Sequence, residues 1–154
     1  MERRKFLSLG AIATAAAVVT PSTLSAVDFR NTKPGAWAGD SSHDVMDAME
    51  ALYGTSETIE KGVDVKTVKI ASNGGAIPVT IRSKIDAESV ALFQDANPES
   101  LVAVWTVPEN GIIDYSLKIK MKRSGEMTVV VKGKDGKLYS STKALEVALG
   151  GCEG

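Results

Sequence analysis

The sequence predicts a mainly β domain, an antiparallel β-sandwich, with a short N-terminal helix and a flexible C-terminal arm. Three observations predict it. About seven short strand-like runs follow one another from about residue 62, at regular spacing and separated by turns rich in Gly and Asn. One stretch of helical periodicity, Val45, Met49, Leu52 and Tyr53, precedes them. The last run leads directly into Gly150-Gly151-Cys152-Glu153-Gly154, a tail too rich in glycine to join a core. The 154 residues are 44% hydrophobic and 24% charged, with a net charge of −1, which fits one ordinary soluble domain. A chain of this length buries a core without disulfides or metal, and nothing in it is basic enough to suggest nucleic acid.

Residues 1–26 read as a signal peptide rather than as fold. Arg3, Arg4 and Lys5 precede Phe6 and Leu7 and an Ala-rich apolar run to Val19; Pro21 breaks it, and Ser22, Thr23, Ser25 and Ala26 supply small residues for cleavage. The run is too short for an ordinary spanning helix. Arg-Arg-x-Phe-Leu resembles a twin-arginine signal, which exports folded proteins; a general secretory signal is the alternative. Export to the periplasm follows, with no membrane attachment after cleavage. The remaining chain carries 15 basic and 18 acidic residues, a net charge of −3.

The domain is expected over residues 27–149. Residues 27–40 read as irregular, with Pro34, Gly35 and Gly39, and Trp37 packing on the domain. Ser41 or Ser42 caps the helix, with Asp44 in its first turn and Gly54 ending it. His43, the only histidine, reads as an exposed polar residue; one histidine cannot supply a metal site. Val63, Val65 and the alternating Val68-Lys69-Ile70 open the β region. Asn73-Gly74-Gly75 reads as a turn before Ile77, Val79 and Ile81, and Pro78 implies an edge or bulge.

Val90 to Phe93 forms a strand, and Asp95-Ala96-Asn97-Pro98 a turn. Leu101 to Val107 is an apolar run of the kind that is covered on both faces, with Trp105 in the core. After the turn Pro108-Glu109-Asn110-Gly111, Tyr115, Leu117, Ile119 and Met121 face one way and Ser116, Lys118, Lys120 and Lys122 the other, a half-buried strand with a solvated lysine face. Residues 127–132 form a strand after the turn Ser124-Gly125. Lys134-Asp135-Gly136-Lys137 turns a hairpin, Leu138 to Ser141 pairs back, and Lys143 to Leu149 forms a last strand.

The tail carries the only cysteine. Five residues reach at most roughly 17 Å. A thiol on such a tether enters a narrow pocket that a cysteine on a strand could not. A catalyst needs its nucleophile held beside a base, so the geometry suits a covalent carrier. An odd cysteine in an oxidising compartment makes either an intermolecular disulfide or a reactive thiol. Glu153 and the terminal carboxylate oppose thiolate formation and repel anions, so activation falls to an enzyme that takes up the arm.

Gly150-Gly151-Cys152-Glu153-Gly154 resembles the GGCGG tail of SoxY, the sulfur-carrier subunit of the Sox thiosulfate-oxidation system; Glu153 departs from the usual Gly. Asn97-Pro98 resembles the family's NP turn, Lys118-Ile119-Lys120-Met121 a short [RK]-I-K-M strand segment, and Asp135-Gly136-Lys137-Leu138-Tyr139 its late hairpin, so the likeness covers most of the mature chain. The resemblance implies an immunoglobulin-like sandwich. It also implies Cys152 as the covalent attachment point, with Gly150, Gly151, Glu153 and Gly154 as arm, and a SoxZ subunit as heterodimer partner. One Sox enzyme would join thiosulfate oxidatively to the cysteine and a second would release sulfate from the adduct. No catalytic residue, metal or cofactor is implied.

Two other classes compete. A thiol enzyme would need a resolving cysteine or a nearby base, and neither stands out. A secreted immunoglobulin-like binding module would use Cys152 only as an intermolecular disulfide.

Overall fold

The computed structural model describes residues 27–38 and 44–148. Residues 1–26, Gly39, the expected caps Ser41 and Ser42, His43, Leu149 and the residues from Gly150 to Gly154 lie outside the described residues. Among the described residues, two short helices come first, α1 (Phe29–Thr32) and α2 (Val45–Tyr53), with a 3-10 turn at Pro34–Trp37. Eight strands follow: β1 (Val63–Thr67), β2 (Ile70–Ala71), β3 (Ile77–Ser83), β4 (Ala87–Gln94), β5 (Leu101–Thr106), β6 (Ile113–Ile119), β7 (Gly125–Gly133) and β8 (Leu138–Val147). They form a three-stranded sheet, β1-β3-β6, and a five-stranded sheet, β2-β8-β7-β4-β5.

The sheets face each other across one apolar core. Val65, Val79, Ile81 and Ile119 come from the smaller sheet; Val90, Leu92, Met127, Val129, Val131 and Leu145 come from the larger. Alternation puts these residues inward and Lys66, Thr80, Arg82 and Lys118 outward, because successive side chains on a strand point to opposite faces. The pairing is antiparallel except between β2 and β8, which run parallel. The sandwich is therefore the expected one with a parallel edge added.

A second apolar layer covers the outer face of the larger sheet. Ala36, Ala48, Met49 and Leu52 pack on Ala91, Phe93, Leu101, Val130 and Leu138. Helix α2 presents those residues because Ala48, Met49 and Leu52 share one face. Asp44 caps it rather than sitting in its first turn: its carboxylate accepts from the Asp47 N–H at 2.9 Å. Gly54 ends it at φ 80, where a Cβ would be strained. Residues 29–32 and 34–37 are helical rather than irregular, with Asp28 capping α1 through the Asn31 N–H. Trp37 does pack on this layer, with the Arg30 guanidinium 4.9 Å above its ring.

Four strand assignments shift. The strand covered on both faces is β4, whose residues 89–94 are all buried between the two layers. β5 is the outer strand of its sheet, and residues 102–105 are half-exposed. Trp105 accordingly sits at the open side of the sandwich, its ring 5.3 Å from that of Tyr115. The run from Val63 to Ala71 splits into β1 and β2, which join different sheets. The last two predicted strands are one, β8, paired along its length with β7. Pro78 lies in a central strand, but β1 stops opposite Val79, so Pro78 has only β6 beside it.

Candidate functional site

β8 is the last strand among the described residues. It starts beside the hairpin turn at Asp135 and Gly136 and ends opposite Gly125 and Ala71. Three contacts hold its last residues. The Ala148 N–H donates to the Ala71 carbonyl at 2.9 Å, the Glu146 N–H to the Lys69 carbonyl at 2.8 Å, and the Val147 N–H to Ser124 Oγ at 2.9 Å. Cys152 lies four residues beyond Ala148. Chain length alone keeps its Cα within about 14 Å of that of Ala148.

This exit end of the sandwich is built by two loops. Gln94, fully buried, organises the first: its amide oxygen accepts from the Ala96 and Asn97 N–H groups, and its amide nitrogen donates to the Glu99 carbonyl. Asn97 then ties that loop to β6 and the second loop. Its Nδ2 donates to the Lys120 carbonyl at 2.7 Å, and its Oδ1 accepts from the Lys122 N–H at 3.0 Å. The Arg123 guanidinium donates to the Asp95 and Ser124 carbonyls, so it braces the second loop without meeting a carboxylate through those bonds. Asp95 Oδ1 accepts from the Glu126 N–H at 2.8 Å and lies where a Cβ on Gly125 would go, so a side chain there would displace the carboxylate from this bond.

The opposite end carries ion pairs between described residues: Arg82 with Asp114, Glu88 with Lys132, and Asp86 with Lys134. All are solvent-exposed and add little stability. Three groups there depart from their ordinary values, and of these Lys134 is raised by its hydrogen bond to Asp86. The Tyr139 hydroxyl donates to Asp135 at 2.6 Å; that bond, with the Lys137 N–H, holds the carboxyl below its ordinary value and raises the phenol. Elsewhere Tyr53, the last residue of α2, is pushed up to about 12 by burial, opposed by its hydrogen bond to Ser89. Among the described residues no cluster of His, Cys, Asp and Glu is arranged to hold a metal ion.

The family model for sulfur oxidation protein SoxY matches residues 49–152, more than half of the chain. The chain belongs to the SoxY family. A solved structure, the sulfur carrier protein SoxY from Chlorobium limicola f thiosulfatophilum, is 30% identical, with a TM-score of 0.61; the match covers 67% of this chain and 94% of that one. The superoxide reductase (neelaredoxin) from Ignicoccus hospitalis superposes with a TM-score of 0.52 over 57% of this chain and 81% of its own, at 10% identity, a likeness of fold alone. No curated protein matches.

The structure thus brings together some residues that carried the SoxY resemblance and leaves others apart. Asn97 and Lys120 meet at the exit end. Asp135 and Tyr139 meet at the opposite end, in the hairpin turn. Cys152 and the arm residues Gly150, Gly151, Glu153 and Gly154 lie outside the described residues. Gln94 and Ser124 carry no motif; the sign of Gln94 in the sequence is a long polar residue closing an apolar run just before a turn.

Proposed function

We propose that the protein is a covalent carrier of thiosulfate-derived sulfur in the periplasm, loaded on Cys152 and presented to Sox enzymes. Membership of the SoxY family, with a match that runs to Cys152, is the observation that supports this reading. The fold is consistent with it: the last residues of β8 are held by β2 and by Ser124, and Cys152 lies only four residues beyond Ala148.

Loading joins the cysteine thiolate to the outer sulfur of thiosulfate. One S–S bond forms, and two electrons pass to a one-electron carrier on the loading enzyme, which is reduced twice. Hydrolysis then breaks the bond to the sulfone group, with water supplying the fourth oxygen of sulfate and two protons released; the outer sulfur stays on Cys152 as a persulfide. The carrier supplies position and a leaving or attacking sulfur, and the enzymes supply activation. Cys152→Ser abolishes loading in a reconstituted system and leaves the unfolding transition unchanged. An adduct that forms on the variant, at any other residue, refutes the carrier reading.

The same reading includes a SoxZ-like subunit as partner. The half-exposed apolar residues 102–105 on the outer strand β5 suit the edge of another sheet. Val104→Lys is expected to dissociate the pair in analytical ultracentrifugation. A pair of unchanged mass removes β5 from the interface.

A further inference from the structure

We propose that Val68 and Ile70 form a docking surface for the enzymes that receive the Cys152 thiol, an inference that rests on the carrier reading. Ile70 is 65% exposed and Val68 36%, on and just before the outer strand of the five-stranded sheet. Nothing in the fold calls for isoleucine there. It is Ala71 that points into the core, and Ile70, opposite Glu146, needs only to continue the strand.

Position gives the pair its meaning. β2 lies one strand spacing, about 4.8 Å, from the last residues of β8. Ala71 is bonded to Ala148, and Cys152 cannot be more than about 14 Å beyond Ala148. An enzyme that draws the thiol into a recessed site must bring its own surface down onto whatever surrounds Ala148. There it meets Val68 and Ile70 flanked by Lys69 and Glu146, both exposed: a small apolar centre with a charged rim. The occupant that fits is an enzyme with an apolar lip around a narrow entrance. A patch of two side chains gives a weak, quickly reversed contact, which a carrier passing between enzymes requires.

Ile112 supplies the control. It is 83% exposed but precedes β6 at the opposite end of the sandwich, about 20 Å along the strands from the exit end. The test is loading of the full chain by the thiosulfate-coupling enzyme, with I70E and I112E compared with the parent. I70E is expected to raise KM about tenfold, the effect of losing one interface anchor, and to leave kcat and the rate of iodoacetamide alkylation of Cys152 unchanged. I112E is expected to leave KM unchanged.

An unchanged KM for I70E, with the adduct on Cys152, overturns the docking surface and leaves the carrier reading intact. A slower alkylation, or a changed mass of the assembly, makes Ile70 a contact of the arm or of a subunit and likewise overturns it. An adduct found at another residue overturns the carrier reading and the docking surface with it.

Discussion

Asn97 joins two loops through one side chain, giving a hydrogen bond to the Lys120 carbonyl and taking one from the Lys122 N–H. Sequence neighbours cannot do this, since the partners lie 23 and 25 residues away. The bond pair fixes the loop after β4 against the end of β6, and the second of those loops leads through Ser124 to the end of β8. Asn97→Ala leaves both backbone groups to water or to nothing, and is expected to destabilise the fold by about 1–2 kcal/mol. Chemical denaturation measures it. The stability of N97A matching the parent would mean that the clamp contributes nothing.

Tyr53 gives the fold an alkaline limit. Its phenol is pushed up to about 12 in the folded protein, against about 10 unfolded. The unfolded chain therefore releases this proton first as pH rises. The contribution of Tyr53 is complete below about pH 10 and is lost between 10 and 12. Tyr53→Phe removes that dependence, at a neutral-pH cost of about 1 kcal/mol for leaving the buried Ser89 hydroxyl without its partner. Thermal melts from pH 8 to 12 read the difference. Identical alkaline slopes for Y53F and parent would contradict the assignment.

Glu153 stands where the family tail usually has glycine, one residue from the proposed attachment point. A carboxylate there repels a thiosulfate dianion and opposes the thiolate. Glu153→Gly is expected to load a few-fold faster at low ionic strength, with the advantage shrinking as salt screens the charge. An equal or slower rate would refute the repulsion by Glu153.

How much of this was legible in the sequence depends on what each residue had to reveal. Helix α2 was legible because Gly54 and the apolar spacing act locally. The hairpin at residues 134–137 was legible for the same reason, through Gly136. Which strand is central was not. The runs around Leu92 and Val104 are equally apolar, and only the helix layer, which covers β4 more fully than β5, separates them. The alternation Val68-Lys69-Ile70 marked β structure, but not that it forms the sheet's outer edge, because its place there depends on β8, some 75 residues later. The candidate site divides in the same way. The cysteine and glycines suggest a tether by residue type, a reading that lies outside the described residues, whereas the Gln94, Asn97 and Ser124 contacts near Ala148 are tertiary and leave no pattern.

The central claim is that sulfur travels on Cys152. The most direct measurement is the intact mass of the mature protein from cells grown on thiosulfate, taken before and after a reductant. The account predicts a sulfur-bearing increment that maps to Cys152 and disappears on reduction. A mass equal to the unmodified chain, or only a disulfide-linked dimer, would contradict it and leave Cys152 as a simple crosslink.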